Sequence, residues 1–583
     1  MKKIIIIFIL FISITSCKSE VKKTFEHAGG LFKMCLNDFP STNIARDVID
    51  VHSAQVMYQV MEGLVSFNSE DLKIMPQIAE SWSVSSNNLI YNFKIRPNVL
   101  FHECEILSNE SDRTLTPEDV IFSIEMACKK DGKGNPTPAY STFFKGTIKG
   151  VDKFHEGKSK KIKGLKIDKN NIIITLENPD ANFLNKLANI NASIISKKVF
   201  DAGQEKLMIG TGPFVYAGID EKSEKPKITL TKNDGYYMKD KEGNALPYLD
   251  GIELTIETKK LDELKMFENG QTHFIAALPT SRISAMLEGR MKDFNSVPPL
   301  LILRNNPLLA TNYYFFNMND TRFQDVRVRQ AFNYAIDRNK ITQNILRGQA
   351  YENGVYGIVP PISSAYRAYD FKGIKEVSYD YNPEKAKQLF VEAGYPNGMN
   401  FGSINLRLNA GDVHSAVAEE ISQQLNRVLG INVNIDASSF EQKNQDASYG
   451  RGDLFRSAWF GDYVSPETFL INFYGKIVPK STSDPSIVNQ SRYRNPKFDE
   501  LFEEAKQEDN LKKRLTIFAE AEKELMKNPP LMVLWYNGDI QLLYSKVRNF
   551  SENPLNHFIL KEVYFKDWTK AEYEKAYKNK ANL

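Results

Sequence analysis

The sequence predicts an α/β protein whose two halves are built differently. Residues 31–310 contain many short strand-like runs joined by long loops, whereas from Tyr313 onward strands alternate with amphipathic helices. Hydrophobic residues make up 42% and aromatic residues 11% of the 583 residues, which is typical of a folded globular protein. Length alone indicates about three or four domains of ~150 residues, or fewer and larger lobes.

Short runs of alternating polarity predict the strands of the first half. They lie at 31–36, 82–84, 89–95, 165–167, 172–176, 228–230 and 252–256, and 210–216 reads as a tight turn into a strand. One helix is predicted over 47–61. A second begins at Thr116, because a capping hydroxyl is followed by Pro117 and Asp119. Residues 129–163 are rich in Lys, Gly, Asn and Pro and predict an exposed loop.

Capping residues followed by apolar residues at helical spacing predict the helices of the second half. Asp325 and Asp337 are predicted caps, and further helices are predicted to open at Asn382, Asp412, Asn495 and Asn510. The alternating run 431–435 predicts a strand, and the apolar run 531–535 predicts a buried one.

The N-terminus reads as an export signal. Lys2 and Lys3 precede an apolar run, 4–12, that is shorter than the ~20 residues of a membrane-spanning helix. Ser16 followed by Cys17 resembles a bacterial lipobox. That resemblance implies a signal peptide over 1–16, cleavage before Cys17, and a lipid-modified Cys17 that carries diacylglycerol and an N-acyl chain such as palmitate. Residues 17–30 would be the tether. The alternative is an ordinary signal peptide with an incidental cysteine.

Composition and motifs argue against several function classes. Lys and Arg number 75 against 72 Asp and Glu, so a nucleic-acid partner is not expected. The chain lacks HExxH, GxSxG, GxxxxGK and GxGxxG motifs, so we expect no enzyme, no cofactor and no metal. A secreted hydrolase is the remote alternative. Cys104 and Cys128 are a possible disulfide pair, and Cys35 reads as a small buried hydrophobe.

The stretch 456–470, RSAWFGDYVSPETFL, is the candidate binding site. Gly461 allows a close backbone approach beside Asp462, and the surrounding aromatic side chains would take water away from that carboxylate. Such a carboxylate needs a cation or several hydrogen-bond donors. If a ligand supplies the cation, the site binds an ammonium group. If the protein supplies it, Asp462 belongs to a structural ion pair.

Several segments together resemble the extracytoplasmic solute-binding proteins of family 5, the oligopeptide- and dipeptide-binding lipoproteins of ABC transporters. They occur in family order along nearly the whole mature chain, and the ordered set carries the resemblance. The segments are MEGLV at 61–65, PQIAESW at 76–82, 91–101, LTPEDVIFS at 115–123, GTGPF at 210–214, PYLD at 247–250, DVRVRQAFNYAIDR at 325–338 and 381–396.

The resemblance implies a two-lobed periplasmic-binding-protein fold (type II, cluster C) with an extra β-rich subdomain. Lobe I would be discontinuous, formed by 31–65, 205–310 and 535–583. The β-rich subdomain would span 66–204, and lobe II 311–534. The implied ligand is a short peptide, held between closing lobes.

Three ligand-binding residues follow from the same resemblance. Asp462 matches the aspartate that binds the α-ammonium of the peptide, and Trp459 matches a tryptophan that lines a side-chain pocket. Arg456 matches an arginine that can meet a ligand carboxylate. Tyr463 and Phe460 are expected in the core. For Asp462 and Arg456 the alternative is a structural ion pair within the protein, or for Arg456 simple solvation.

The resemblance also implies partners and a location. An inner-membrane ABC permease and ATPase complex would receive the ligand, the lipid anchor would contact the membrane, and the receptor is expected to be a monomer. It would lie outside the cytoplasm, on the periplasmic face in a Gram-negative cell. The sequence departs from the family at 102–104 and at 232–237. Ligand identity therefore stays open, since relatives of this fold bind nickel chelates, haem, oligosaccharides or opines.

Overall fold

The structure, a computed structural model, describes residues 24–279, 282–362, 365–551 and 553–578. The predicted signal peptide, Cys17 and the first part of the tether lie outside the described residues. In the part that is described, no helix combines the length and the apolar character needed to cross a membrane.

Nineteen strands are present in the described residues. In chain order they are β1 (Leu31–Leu36), β2 (Val65–Phe67), β3 (Ile74–Pro76), β4 (Ala79–Val84), β5 (Ile90–Ile95), β6 (Leu165–Asp168), β7 (Asn171–Thr175), β8 (Phe214–Asp220), β9 (Lys227–Lys232), β10 (Gly251–Ile256), β11 (Phe274–Ile275), β12 (Leu301–Phe316), β13 (Ala350–Asn353), β14 (Ile404–Asn409), β15 (Val433–Ser438), β16 (Leu454–Phe460), β17 (Leu531–Tyr544), β18 (Val547–Arg548) and β19 (Tyr564–Phe565).

The α-helices are denser in the second half of the described chain. In chain order they are α1 (Val51–Val60), α2 (Glu110–Arg113), α3 (Pro117–Cys128), α4 (Val151–His155), α5 (Phe183–Ala188), α6 (Lys197–Asp201), α7 (Lys260–Glu268), α8 (Ile283–Gly289), α9 (Met291–Asn295), α10 (Val326–Ala335), α11 (Arg338–Lys340), α12 (Phe371–Val377), α13 (Pro383–Glu392), α14 (Asp412–Leu429), α15 (Phe440–Tyr449), α16 (Glu467–Leu470), α17 (Pro496–Gln507), α18 (Leu511–Lys527) and α19 (Lys570–Lys578).

Three sheets organise these elements. A four-stranded sheet has the order β1-β10-β9-β8, and a second has the antiparallel order β4-β5-β7-β6. The largest sheet has seven strands in the order β11-β17-β12-β16-β14-β15, with β13 added on β17. The mixed α/β fold class is confirmed, and the β-rich sheet lies in the first half as predicted.

The long strands β12 and β17 form the backbone of the largest sheet. They pair antiparallel from Leu301 opposite Tyr544 to Phe315 opposite Leu531. The register shifts between Pro307 and Thr311, and again beyond Asn312. The domain boundaries predicted at 310/311 and 534/535 fall inside these two strands.

Helix capping follows the predicted chemistry at most positions. Thr116 and Asp119 form a reciprocal capping box at α3. Asn495 accepts from the backbone N–H groups of Lys497 and Phe498, and Asn510 accepts from that of Lys513. Each cap satisfies backbone donors that a helix start leaves without partners.

Three sequence predictions need correction. The first helix begins at Val51, because Asp50 caps it. The region 129–163 is not only an exposed loop, since it holds α4 and a π-helical turn with buried aromatic rings. Finally, the apolar run at 531–535 continues as a strand to Tyr544.

The described cysteines form no disulfide. Cys35 and Cys128 are buried and Cys104 is partly buried, and all three are free thiols. Burial raises the pKa of the Cys35 thiol to about 12, which favours its inert protonated form. The possible pairing of Cys104 with Cys128 is therefore absent from the structure.

Candidate functional site

The candidate site lies where β16 leaves the largest sheet. β16 pairs along its whole length with β12, from Leu454 opposite Phe316 to Phe460 opposite Ala310. On the other edge, β14 reaches only Leu454 and Phe455. Among the described strands, the backbone of 456–460 therefore has no partner on that edge, so its N–H and C=O groups are available to an extended ligand.

Gly461 places Asp462 directly beyond this strand. Its backbone N–H donates to the carbonyl of Leu309 at 2.7 Å. A Cβ atom at position 461 would lie 3.3 Å from the Cβ of Leu309 and 3.3 Å from Cε2 of Phe469. The absence of a side chain thus lets the chain pass close to β12 and α16, as the sequence predicted.

Thr468 holds the carboxylate of Asp462 in place. Its hydroxyl donates to Oδ2 of Asp462 at 2.7 Å and accepts from the backbone N–H of Asp462 at 2.9 Å. The indole Nε1 of Trp459 lies 3.4 Å from the same hydroxyl oxygen. One threonine therefore links two of the three predicted ligand-binding residues.

Asp462 lacks a counter-charge from the protein. Among the described residues, no lysine, arginine or histidine forms an ion pair with it, and it is partly buried rather than exposed to bulk solvent. Burial raises the pKa of Asp462 from 3.8 to about 7, although the hydrogen bond from Thr468 lowers it. A carboxyl group in this state gains from any cation that reaches it.

Tyr58, from a distant part of the chain, lies near Asp462, and His557 packs against Tyr58. The charge of Asp462 contributes, after burial, to a raised pKa of the Tyr58 hydroxyl on α1. The Tyr58 ring lies 4.6 Å, centroid to centroid, from the ring of His557. Burial lowers the pKa of His557 to about 4, so its imidazole is neutral at pH 7 and does not neutralise Asp462.

Arg456, too, has no acidic partner among the residues that the structure describes. Its two terminal nitrogens donate to Oδ1 of Asn409 at 3.0 Å and Oδ1 of Asn312 at 3.1 Å. Burial lowers the pKa of its guanidinium to about 10, and the group stays charged at pH 7. Arginine held by neutral amides keeps its charge available for an anion.

The aromatic residues of the stretch divide between core and site. Tyr463 is 2% exposed and packs in the largest hydrophobic core, as predicted. Trp459 and Phe460 are partly exposed, and Trp459 packs at the edge of the same core. Phe460 is thus less buried than the sequence suggested, because it ends β16 on the side that lacks a neighbouring strand.

A buried ion-pair cluster fixes the segment that follows Asp462. Nζ of Lys186 on α5 lies 2.7 Å from Oδ2 of Asp180 and 2.8 Å from Oε1 of Glu467 on α16. Asn182 donates to Oε2 of Glu467 at 2.6 Å and to Oγ of Ser465 at 3.0 Å. The cluster ties the β-rich part of the chain to the residues just before Thr468.

Sequence reasoning missed several of these residues. Thr468 lies within the predicted stretch, and its hydroxyl, six residues after Asp462, could have been recognised as a hydrogen-bond partner for that carboxylate. Tyr58, His557 and Lys186 are far away in sequence and carry no motif of their own. The described residues contain no group of three or more His, Cys, Asp or Glu side chains placed to hold a metal ion.

Comparison with known proteins gives a consistent picture. The sequence model described as "Bacterial extracellular solute-binding proteins, family 5 Middle" matches residues 73–479. The chain is 26% identical over 525 residues to the dipeptide-binding protein DppE of Bacillus subtilis, covering 87% of each chain. It is 27% identical over 513 residues to haem-binding protein A of Haemophilus influenzae, covering 86% of this chain and 85% of that protein.

A solved structure shows the same fold. The periplasmic binding protein DppA of Helicobacter pylori, in complex with the peptide STSA, aligns with a TM-score of 0.77 at 22% identity. The alignment covers 93% of this chain and 99% of that one. The predicted two-lobed periplasmic-binding-protein fold is thereby confirmed.

Proposed function

Because the chain belongs to family 5 of the bacterial extracellular solute-binding proteins, we propose that it is a receptor for short peptides that delivers them to an ABC permease. The observation that carries this proposal is the Asp462 carboxylate, which is partly buried and receives no cation from the described residues. The α-ammonium of a peptide would supply the missing charge. The names of the relatives, which include dipeptide- and oligopeptide-binding proteins, support the same ligand class.

The open edge of β16 suggests how the main chain is held. A peptide lying along 456–460 would add a strand there, and its amino group would reach Asp462 beyond the end of β16. Its carboxylate would then lie toward Arg456, and Trp459 would line a side-chain pocket. Main-chain hydrogen bonds of this kind bind peptides of many sequences.

The proposed domain division follows from the same picture. Lobe I would comprise 31–65, 205–310 and 535–583, the β-rich subdomain 66–204, and lobe II 311–534. The ligand would lie between Tyr58 of lobe I and Asp462, Trp459 and Arg456 of lobe II. Closure of the lobes would then exclude water from the bound peptide.

The proposal extends to location and assembly. The signal peptide 1–16 would be removed and the new amino-terminal Cys17 lipidated, which anchors a monomeric receptor at the membrane outside the cytoplasm. The chain has no catalytic role in this proposal, since delivery requires that the ligand leave unchanged.

Identification of the natural ligand tests the proposed function. The protein is purified without denaturation, its ligand is released and identified by mass spectrometry, and the emptied protein is titrated calorimetrically with pooled di- to pentapeptides. We expect released peptides and a heat of binding with at least one pool. Haem, a sugar or a metal chelate as the released ligand, with no heat from any peptide pool, would contradict the proposal.

The substitution Thr468→Val tests how Asp462 is positioned. We expect peptides with a free amino group to bind about tenfold more weakly, because valine keeps the shape but removes the hydroxyl that orients the carboxylate, a loss of ~1–2 kcal/mol. Calorimetry with a free and an N-acetylated form of one peptide measures this effect.

Thr468→Ser is the matched control and should retain wild-type affinity, because it keeps the hydroxyl. The acetylated peptide should bind both variants alike. An equal loss for the free and the acetylated peptide would show that Thr468 only supports the local fold.

A further inference from the structure

The Arg456 end of the site contains three basic side chains, and none of them forms an ion pair within the described part of the chain. Lys443 of α15 and His414 of α14 lie close to Arg456, and the charge of Arg456 adds to the effect of burial in lowering the pKa of both groups. Nδ1 of His414 lies 3.2 Å from the backbone carbonyl oxygen of Asn409, whose side chain accepts from Arg456. We call Arg456, Lys443 and His414 the basic cluster.

Lys443 is the unexplained member of the basic cluster. Its side chain is 2% exposed, and its Nζ donates to Oδ1 of Asn444 at 2.6 Å and lies 5.5 Å from the centroid of the Phe440 ring. In the described part of the chain, no carboxylate lies within ion-pair distance of it. Burial, together with the charge of Arg456, lowers the pKa of the Lys443 amine to about 7, so the empty protein holds this group only partly charged, and an acidic ligand group beside it would favour its charged form.

The neighbouring acid of α15 is already engaged. Asp446 is buried, and its carboxylate lies 3.4 Å from the guanidinium of Arg407 and 3.8 Å from that of Arg451. Asp412, which begins α14, is exposed. The protein therefore leaves the counter-charge of Lys443 to be supplied from outside.

The sum of the charges of the site residues and the ligand indicates which ligand group could pair with Lys443. Asp462 matches the ammonium of a peptide and Arg456 matches its main-chain carboxylate, so a neutral zwitterionic peptide leaves Lys443 uncompensated. His414 does not change this sum, because burial lowers its pKa to about 4 and it is neutral at pH 7. A ligand with one additional negative charge would hold Lys443 in its charged form and neutralise the whole site.

We propose that Lys443 is a specificity-determining residue that selects peptides with an acidic carboxyl-terminal residue, whose side-chain carboxylate pairs with its ammonium group while Arg456 binds the main-chain carboxylate. This inference rests on the proposed function and adds to it a ligand class, peptides that end in Asp or Glu.

Matched peptide pairs test the inference. The emptied protein is titrated with Ala-Ala-Glu and Ala-Ala-Gln, and with the tetrapeptides Ala-Ala-Ala-Glu and Ala-Ala-Ala-Gln, which differ only in one charge. We expect the Glu peptide of at least one pair to bind wild type at least tenfold more tightly. Lys443→Met should reduce this preference to less than twofold, and Lys443→Arg should retain most of it.

Two controls separate recognition from folding. Lys443→Met should melt at or above the wild-type temperature when empty, because it removes a buried charge without a partner. Lys387→Met, at an exposed lysine of α13, should change neither melting nor preference. A Lys443→Met protein that melts well below wild type and loses both peptides of a pair equally would show that Lys443 is structural and would overturn the inference.

The remaining outcomes are also distinct. Equal binding of all four peptides by wild type, or an unchanged preference in Lys443→Met, overturns this inference and leaves the proposed function standing. If wild type binds none of the four peptides and no peptide pool gives heat, the proposed function fails, and the inference fails with it.

Discussion

Replacement of Asp462 by asparagine is expected to weaken binding of a peptide with a free amino group by ~2–5 kcal/mol, or about 30-fold to several thousand-fold. The reason is that the variant would leave the ligand ammonium desolvated and facing a neutral amide. The carboxamide oxygen still accepts from Thr468, so the local fold should persist. Isothermal titration calorimetry of wild type and variant with one tight-binding peptide measures the difference.

The same experiment has internal controls. An N-acetylated peptide, which carries no ammonium group, should bind wild type and Asp462→Asn with similar affinity. Asp168→Asn, at an exposed carboxylate at the end of β6, should behave as wild type. Undiminished affinity of Asp462→Asn for the free peptide would remove the chemical basis of the proposed function.

The empty protein should also show the unusual state of Asp462 in its pH dependence. Burial raises the pKa of this carboxyl group from 3.8 to about 7, so between these values the folded state binds more protons than the unfolded state. Stability contributed by this group is therefore present below pH ~4 and is lost as the pH rises to 7, by roughly 4 kcal/mol at most. Urea unfolding at several pH values should show a shallower decline for Asp462→Asn than for wild type.

Loss of Lys186 is expected to cause the largest change in stability. Lys186→Met should lower the free energy of unfolding by ~3–5 kcal/mol, because Asp180 and Glu467 would stay buried and, among the described residues, the one ion pair left to them would be that of Glu467 with Lys506 at 3.8 Å. In the native protein, burial alone would lower the pKa of Lys186. The two carboxylates have the larger combined effect and raise this pKa above its usual range. Chemical denaturation monitored by tryptophan fluorescence measures the loss.

Two further variants locate the origin of that loss. Lys197→Met removes an exposed i,i+4 pair with Asp201 and should change the free energy of unfolding by less than ~0.5 kcal/mol. Lys186→Met combined with Glu467→Gln should recover part of the loss, since it removes one of the stranded charges. A Lys186→Met protein as stable as the Lys197→Met control would mean that the buried cluster contributes no net stability.

Local sequence signals were sufficient for much of the fold. Thr116, Asn495 and Asn510 cap helices as predicted, because capping depends on residues within one turn. The partly buried setting of Asp462 could also be predicted from the sequence, since Gly461 and the aromatic residues around it lie in one short stretch. These features depend on neighbours in sequence, so a single chain is enough to recognise them.

Other features depend on contacts that sequence spacing cannot reveal. Lys186 and Glu467 are 281 residues apart, and neither belongs to a recognisable motif. The acid-free surroundings of Lys443 arise only when α14, α15 and β16 come together. The buried aromatic rings of 129–163 were missed for a similar reason, because a Lys- and Gly-rich composition hides the few side chains that pack inward.

The irregular pairing of β12 with β17 has a mechanical consequence for the proposed lobes. Both chain connections between the proposed lobes lie within these two strands. Rotation of one lobe relative to the other therefore has to twist a hydrogen-bonded pair of strands, and is not a movement about flexible linkers. The ladder is interrupted between Pro307 and Thr311, where Leu309 bonds instead to Pro554 and Gly461. We expect the twist to concentrate at this interruption of the ladder. The paired segments on either side would restrict the direction in which the lobes rotate, and would return them to the same relative orientation after each release of ligand.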